Sequence, residues 1–448
     1  MIRPHFWHGE DASLHHILAR REARAAQQRA LLAQGSTLVS FTMNIPGTRK
    51  QFPLARKGFD EGLSLLEERF AGHILRQERC SAVTGEEALL LLDLDAETVK
   101  RTVTELEEHH PIGRLWDMDV LSAERGSLSR TELGLPRRRC FLCGGDAKEC
   151  GRSRHHSHEE LFFSAAELLH DHMRRQAERR VGICALQAAL GEVSVTPKPG
   201  LVDRHDSGSH KDMDFFTFVD SASALSPWFC AFFRAGWVEE GDLFSTLRSL
   251  GRQAEREMFA ATGGVNTHKG LIFSMAIFCG AIGAAAAAAF PAAPSRDAVV
   301  EEIRALGKAS LGDFCTAYAP TAGLRYYRAH GVTGIRGEAA AGYPSVFEIG
   351  LPALRQWLAK GLSLNDAAAA ALLALMAAVE DTNMIHRGGI AEARRRREEA
   401  ARVLQELSEE NLQSVLREMN EDYIRASLSP GGCADLLALT LFCYFLEL

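Results

Sequence analysis

Four short segments in the second half of the sequence combine glycine or proline with side chains that bind phosphate or metal. They are residues 196–204 (TPKPGLVDR), 264–270 (GVNTHKG), 381–389 (DTNMIHRGG) and 429–435 (SPGGCAD). Glycine and proline are costly inside helices and strands, but they suit places where the backbone must approach a ligand closely. The four segments therefore predict one shared site for a polyphosphate.

A different pattern indicates chemistry at phosphorus in the first half of the chain. Asp117 and Asp119 alternate in a strand-like stretch, so both carboxylates lie on one face and can hold one divalent ion or a pair. Such a metal site stabilises the attacking and leaving oxygens of an in-line displacement. Arg114, Arg130 and Arg139 are candidate phosphate clamps because their guanidinium groups are planar forks. A lone Asp-x-Asp at a strand end is, however, more often part of a turn.

A cluster of cysteines and histidines follows this strand. It has the residue types and approximate spacing of a structural zinc site, with Cys140, Cys143, Cys150 and either His155 or His156 as ligands. A second CxxC pair is absent from this stretch, so partly buried thiols explain the same pattern. The histidines of residues 155–158 also fit a solvated basic turn, and the sequence leaves these alternatives open.

The elements that must position these residues change in kind along the chain. Before Ser157, strand-like stretches such as 37–43 and 88–94 alternate with helical ones, as in a sheet covered by helices. After Ser157 the periodicity is helical, and every ligand-type segment falls at a helix junction. At 448 residues the chain also exceeds the usual size of a single core. We therefore predict a multidomain protein, with an α+β domain at 1–172 followed by an all-α domain at 173–448.

Three stretches allow sharper expectations about individual helices. A helix is predicted over about residues 55–76, and the last predicted helix covers about residues 411–428. Residues 270–295 carry no charge and are long enough to span a bilayer. They are dominated by alanine and glycine, which supply little transfer energy, so a buried helix followed by a loop is favoured over a membrane span.

Composition excludes several classes of protein. A net charge of -7 gives no support for nucleic-acid binding, whose signature is a basic stripe. The charged N-terminus lacks the apolar run of a secretory signal. Ten cysteines scattered through a long chain favour reduced thiols and a cytoplasmic location over a disulfide framework.

The motifs resemble two known families, which together cover nearly the whole chain. Residues 177–448 resemble triphosphoribosyl-dephospho-CoA synthase through all four glycine- or proline-containing segments in order. The N-terminal part resembles holo-citrate lyase synthase through residues 39–47 (VSFTMNIPG), 113–120 (GRLWDMDV) and the cysteine-containing stretch 139–156. Because the Asp-x-Asp lies within a segment that resembles this second family, a catalytic role is favoured for it over a turn.

The resemblance implies two consecutive reactions. In the first, ATP and 3'-dephospho-CoA give the triphosphoribosyl adduct and free adenine. In the second, the phosphoribosyl-dephospho-CoA group is transferred to a serine of the citrate lyase acyl carrier subunit, and diphosphate leaves. A divalent cation such as Mg²⁺ is expected at Asp117 and Asp119.

The first reaction passes through an oxocarbenium-like state, which needs carboxylates, a protonated leaving base and a bound triphosphate. The expected catalytic residues are Asp203, His268, Asp381 and Asp435. The expected substrate-binding residues are Lys198, Arg204, Lys211, Asn266, Lys269, Asn383 and Arg387. Glu255 and Asp212 are further carboxylate candidates, and His268 and His386 are candidate proton donors to adenine. Asp203, His268, Asn383 and Asp435 are expected to surround one pocket.

Two alternatives compete with this bifunctional enzyme. One assigns both folds to the equivalent prosthetic-group pathway of malonate decarboxylase, against which the citrate lyase type of N-terminal motif speaks. The other makes the chain a non-catalytic module that docks an acyl carrier protein, against which the intact acidic motifs speak.

Overall fold

The computed structural model describes residues 7–35, 37–238, 241–312 and 331–448. The chain divides into two compact units between Gln176 and Ala177, so the predicted two-domain organisation is confirmed.

The first unit is a five-stranded antiparallel sheet with helices packed on it. The strands are hydrogen-bonded in the order β2-β3-β1-β4-β5. They are β1 (Thr37–Met43), β2 (Ile74–Ala82), β3 (Gly85–Leu92), β4 (Trp116–Ser122) and β5 (Gly126–Ser127). The helices are α1 (Leu14–Leu32), α2 (Pro53–Arg69), α3 (Ala96–His109) and α4 (Ala147–Ser153). A long helix, α5 (His158–Ser194), contains the boundary between the units.

One face of the sheet packs on α2 through aromatic side chains. Phe41 of β1 stacks on Phe59 of α2 with ring centroids 4.6 Å apart. Trp116 of β4 meets Phe41 edge-on and donates from its indole nitrogen to the Gly58 carbonyl at 2.9 Å. A buried indole N–H needs such a partner, so this bond fixes the angle at which α2 crosses the sheet.

The edge of β4 is completed by side chains of α3 instead of a full partner strand. The Met118 amide donates to Glu107 at 2.9 Å, and the Met118 carbonyl accepts from Lys100 at 3.3 Å. Both of these α3 residues are buried. The pair satisfies a strand edge that would otherwise be open to pairing with another chain.

The predicted helix over residues 55–76 is wrong at its C-terminal end. α2 stops at Arg69, and residues from Ile74 onward form β2, which pairs with β3. No residue of β2 is fully buried, because β2 is the edge strand of the sheet. The hydrogen bonds of β2 to β3 determine that these residues form a strand. A prediction from sequence can use only the hydrophobic pattern, which is weak in an edge strand.

In the described residues of the second unit, every regular element is helical. After α5 come α6 (Phe215–Val238), α7 (Leu243–Ala261), α8 (Lys269–Ala289), α9 (Arg296–Ser310), α10 (Gly334–Ala341), a π-helical turn (Ser345–Gly350), α11 (Leu351–Ala359), α12 (Leu364–Ala378), α13 (Thr382–Glu406), α14 (Leu412–Arg425) and α15 (Gly431–Leu446). The sequence did not predict α10 or α15. Helix α15 begins with Gly431 and Gly432 after Pro430, which look like a turn in sequence. Amides of the first helical turn have no intrahelical partner, so proline and glycine cost less there than in a helix interior.

Helix α8 is the central element of this unit. It is long and apolar enough to cross a membrane, yet 78% of its most apolar 18-residue stretch is buried inside the protein. It crosses α6 at very short range. A Cβ atom on Gly236 would lie 1.9 Å from the Gly280 carbonyl oxygen, and one on Gly283 would lie 2.1 Å from that of Phe233. The glycines therefore permit backbone contact between the two helices, and this explains the alanine- and glycine-rich composition.

We predict that Gly236→Ala destabilises the second unit by about 1–3 kcal/mol, because the added methyl group must push α6 and α8 apart. Gly251→Ala on α7 is the matched control. Its nearest neighbour would be Ile272 at 3.9 Å, so the control should be neutral or stabilise by about 0.5–1 kcal/mol. Urea unfolding of both variants measures the difference, and equal effects would contradict the close helix crossing.

Candidate active sites

A cavity of about 790 Å³ lies in the second unit at the junctions between its helices. All four glycine- or proline-containing segments contribute to its wall. The predicted residues that line it are Asp212, Asn266, His268, Lys269, Asp381, Asn383, His386, Arg387 and Asp435.

The segments meet because their glycines leave room for a neighbouring segment. A Cβ atom on Gly270 would lie 1.9 Å from a carboxylate oxygen of Asp435, and one on Gly431 would lie 2.5 Å from the Asn383 amide nitrogen. Gly200 of the first segment approaches the Leu428 carbonyl as closely, at 2.2 Å from its hypothetical Cβ. Any side chain at these positions would separate the helix junctions.

Asp381 joins two of these junctions through its carboxylate. One oxygen accepts from the amides of Asn383 at 2.8 Å and Met384 at 3.2 Å, which caps the N-terminus of α13. The other oxygen accepts from the Cys433 amide at 2.8 Å, in the first turn of α15. The carboxylate is thus shared by two helix N-termini, and its geometry is that of a positioning group.

Asp203 and Lys198, both expected in the pocket, do not line the cavity. Asp203 is buried, and its carboxylate accepts from the Thr196 hydroxyl at 2.8 Å and from the amides of Lys198 and His205 at 3.1 and 2.7 Å. Lys198 is also buried, and its ammonium group contacts the Glu192 carboxylate and carbonyl. The first segment therefore folds around its own charges. It reaches the cavity only through Leu201 and Val202, and Glu192, the partner of Lys198, also lines the cavity.

The other predicted cations are divided between the cavity and its surroundings. Arg204 donates to Asn365 at 3.1 Å, and neither it nor Lys211 lines the cavity. Arg387 does line it, but one of its nitrogens donates to the carbonyls of Ser209 and Ser427 at 3.1 and 3.2 Å. Arg387 thereby holds together the loops that frame the opening.

Among the described lining residues, carboxylates outnumber the permanently charged cations. The carboxylates are Glu192, Asp212, Glu338, Glu380, Asp381 and Asp435, and the cations are Lys269 and Arg387. Lys269 also pairs with Glu255 at 3.1 Å. Burial raises the pKa of Asp435 well above its usual range, and the Glu192 and Asp381 carboxylates raise it further. These surroundings therefore favour the protonated form of Asp435.

His268 is held as a neutral imidazole. Its Nδ1 lies 2.6 Å from the Ser221 hydroxyl, which also accepts from Thr267 at 2.7 Å. Burial lowers the pKa of His268 to about 3, and the Lys198 charge contributes. A neutral ring suits hydrogen bonding better than the proton donation expected from the sequence.

The Asp-x-Asp strand of the first unit presents its carboxylates on the face of the sheet opposite the aromatic core. Asp117 and Asp119 are paired across β1 with Thr42 and Ser40. Desolvation raises the pKa of Asp119, the Asp117 charge raises it further, and Lys100 and Arg24 act in the opposite direction. The two carboxylates share one face, which is the arrangement a divalent ion requires.

Two of the three predicted arginine clamps pair with glutamates of α3. Arg114 pairs with Glu108 at 2.7 Å, and Arg130 contacts both Glu107 and Glu108. Arg139 forms an isolated backbone bridge with Asp146 in the loop that leads to α4. The arginine that contacts the Asp-x-Asp pair is Arg138, whose guanidinium donates to Asp117 at 2.9 Å. Nothing in the sequence distinguishes it from its neighbours Arg137 and Arg139.

The cysteine cluster brings four potential ligands together. One ligand atom from each of Cys140, Cys143, Cys150 and His156 lies within 4.8 Å of all the others. His156, not His155, is the histidine of this group. Its Nε2 is buried and has no hydrogen-bond partner among the described residues.

A second group of possible ligands in this unit is better described as a hydrogen-bonded clamp. Glu61 lies 2.9 Å from His172 and 3.3 Å from His110. The Ile112 amide donates to His110 Nδ1 at 3.4 Å. The His110 proton is therefore on Nε2, where it faces Glu61 and blocks a metal ion.

Comparison with known proteins accounts for both units. The family model for ATP:dephospho-CoA triphosphoribosyl transferase (CitG) matches residues 178–448, and that for apo-citrate lyase phosphoribosyl-dephospho-CoA transferase (CitX) matches residues 12–172. Protein CitXG of Haemophilus influenzae is 36% identical, with 97% of this chain and 96% of the relative covered. The chain belongs to the CitXG family.

Further relatives agree with this membership. Protein CitXG of Leuconostoc mesenteroides is 33% identical over 98% of both chains. A probable 2-(5''-triphosphoribosyl)-3'-dephosphocoenzyme-A synthase of Streptococcus pyogenes is 44% identical over an alignment that covers 59% of this chain and 95% of the relative. The resemblance to two fused enzymes is thereby confirmed.

Several functional candidates of this CitXG-family chain were not found from its sequence. Glu192 lies in the last turn of α5, outside the four glycine- or proline-containing segments. Ser221 and Glu338 are likewise ordinary helical positions. Only the fold brings them to the cavity or to His268.

We predict that the second unit loses stability in mild acid because His268 resists protonation. The unfolded state takes up a proton below pH 6.5, the ordinary pKa, whereas the folded state does so only near pH 3. Stability attributable to this group is therefore full above pH 6.5 and falls by about 2 kcal/mol by pH 5. His268→Gln should remove that part of the pH dependence in urea unfolding at pH 7 and pH 5. An unchanged dependence would contradict the neutral imidazole.

Proposed function

We infer that this chain is a bifunctional transferase that makes the prosthetic group of citrate lyase and attaches it to the acyl carrier subunit. The observation that carries this inference is the tandem match of both family models, one to each half of a chain whose full-length relatives are CitXG proteins. The second unit would make the activated group, and the first unit would transfer it.

In the second unit, the cavity is the proposed site for ATP and 3'-dephospho-CoA. The 2'-hydroxyl of dephospho-CoA would form a bond to the ribose anomeric carbon while the bond from that carbon to adenine breaks. Asp435 is the proposed donor of the proton that adenine takes up, and the hydroxyl proton is released. His268 and Asn383 would orient the substrates by hydrogen bonds. Since the described wall is acidic, Mg²⁺ held by its carboxylates would neutralise the triphosphate.

In the first unit, Asp117 and Asp119 are the proposed ligands of a divalent cation. The carrier serine oxygen would form a bond to the α-phosphorus of the triphosphoribosyl group. The bond from that phosphorus to the diphosphate oxygen breaks, diphosphate leaves with the electron pair, and the serine proton is lost. Bound metal would stabilise the charge on the attacking and leaving oxygens. Arg138 would hold Asp117 in its orientation.

We predict that the two activities separate by mutation. The native chain should release adenine from ATP only when dephospho-CoA is present, and should modify the apo-carrier. Asp117→Asn and Asp119→Asn should each lower carrier modification by about 100-fold or more, because a metal ligand is lost with little change in shape. Adenine release should stay near the native rate. No adenine from the native chain would exclude the first activity, and full carrier modification by the double variant would exclude the metal role.

We also propose that Cys140, Cys143, Cys150 and His156 hold a structural zinc ion. The Cys140 and Cys150 sulfurs are 3.6 Å apart, close to the roughly 3.8 Å edge expected for a tetrahedron with Zn–S bonds of about 2.3 Å. The loop is held by backbone bonds from Cys140 to Gly145 at 2.7 Å and from Gly144 to Cys140 at 2.9 Å. A buried histidine nitrogen without a partner completes a four-ligand set.

Metal analysis tests this site directly. The purified chain should contain about one zinc ion that resists dialysis, and Cys143→Ser should lose it and lower the melting temperature of the first unit. Cys80→Ser, a change at a cysteine on β2 outside the cluster, should retain the zinc. A native chain free of zinc and as stable as Cys143→Ser would contradict the proposal.

A further inference from the structure

The face of the sheet that carries Asp117 and Asp119 has a regular layout. Antiparallel pairing places directly opposed residues of β3, β1 and β4 on the same face. Three such rows cross the sheet: Glu87, Thr42 and Asp117; then Leu89, Ser40 and Asp119; then Leu91, Leu38 and Leu121. The face is thus polar where the carboxylates lie and apolar one row further along.

Helix α1 lies along this face and matches its rows. Leu31 packs with Leu38, Leu89 and Leu91 in a small apolar cluster. One turn earlier, Gln28 donates to the Ser40 hydroxyl at 2.9 Å. A helix that is anchored in this way at its C-terminal end must carry its N-terminal half toward the carboxylate rows.

The N-terminal half of α1 presents two arginines to the first row. Arg24 donates to one Glu87 carboxylate oxygen at 2.9 Å, and Arg20 donates from Nε to the other at 2.8 Å. The spacing of residues 20, 24, 28 and 31 follows one stripe of a helix, so these contacts share one face of α1. The side chain of Glu87 is only 6% exposed, so the pair of arginines is firmly placed.

The charges of this group do not balance. Two guanidinium groups face one carboxylate, which leaves one positive charge in excess on the side of the Asp-x-Asp pair. Only one Arg24 nitrogen, Nη1, has a hydrogen-bond partner among the described residues, so its other donors are available to a ligand. Arg24 therefore contacts Glu87 on the same face of the sheet that carries the proposed metal ligands.

We propose that Arg24, supported by Arg20 and oriented by Glu87, binds the diphosphate end of the triphosphoribosyl substrate in the first unit. This proposal rests on the transferase function inferred above. Diphosphate is the group that leaves with additional negative charge, and a planar fork with free donors stabilises it better than the metal alone. Arg114 and Arg130, which the sequence favoured for this role, are already paired with the glutamates of α3.

A purely structural alternative must be distinguished from this one. The same ion pairs would also hold α1 on the sheet without any contact to substrate. The structural alternative predicts that loss of Arg24 lowers stability and leaves substrate affinity unchanged. The binding proposal predicts a change in affinity for diphosphate itself.

The test measures carrier modification by the full chain with the triphosphoribosyl substrate supplied directly and inorganic diphosphate as the inhibitor. Arg24→Gln should raise KM for the substrate and the inhibition constant of diphosphate together, each by about 10- to 100-fold, the loss expected for a charge-assisted hydrogen bond. Arg24→Lys keeps the charge but not the planar fork, so it should fold and recover only part of this affinity. Arg29→Gln removes the same charge from the exposed side of α1 and should change neither constant.

The outcomes separate this proposal from the function on which it rests. If the native chain modifies no carrier, the transferase function itself fails. If the native chain is active and both constants are unchanged in Arg24→Gln and Arg24→Lys, Arg24 does not bind diphosphate. Equal increases in Arg29→Gln would reduce the effect to general electrostatics and would also overturn the proposal. Adenine release, measured in parallel, should be the same in all variants.

Discussion

The arrangement of the large cavity depends on one carboxylate. Asp381 accepts hydrogen bonds from the N-termini of both α13 and α15. Two helices that are far apart in sequence therefore begin next to the same carboxylate. Glycines at the contacts with Asp435 and Asn383 allow this convergence. Helix N-termini carry partial positive charge, and a shared aspartate satisfies their amides without filling the space in front of them. The wall of the cavity is therefore built from helix ends.

The proposed sites of the two units are built differently. In the first unit, carboxylates and arginines stand side by side on one face of a sheet, and their positions follow from strand register. In the second unit, the described cavity wall is mainly acidic, and its lysines and arginines mostly hold loops and neighbouring carboxylates. Rigid register suits in-line transfer at phosphorus, whereas converging helix ends enclose a larger volume for two substrates.

The fold class of each unit and most helices of the second unit were predictable from the sequence. A long helix with periodic apolar residues forms whatever its neighbours are, because it buries that apolar face. Prediction from the sequence failed at β2, whose identity comes from hydrogen bonds to β3, and at α15, whose first residues imitate a turn. Part of the cavity lining was predictable, because glycine next to a polar residue indicates a helix junction. The residues predicted in this way that line the cavity include Asn266, Lys269, Asn383 and Asp435.

Lys198 and Asp203 also lie in a segment that contains glycine and proline, but their side chains stabilise that segment. Nothing in the local sequence distinguishes a charge that faces a ligand from one that stabilises its own turn. Arg24, Glu87 and Arg138 could not be selected at all, since their relation to Asp117 and Asp119 exists only through the sheet.

The acidic wall has a consequence for which form of nucleotide can enter. A free triphosphate would meet carboxylates of its own sign at close range, in surroundings where water screens them poorly. The same nucleotide with a divalent cation attached carries less negative charge and meets a lower barrier. For a nucleotide that binds there, the relevant concentration is that of the cation complex and not of total ATP, so chelators in the medium would act as competitors without touching the protein.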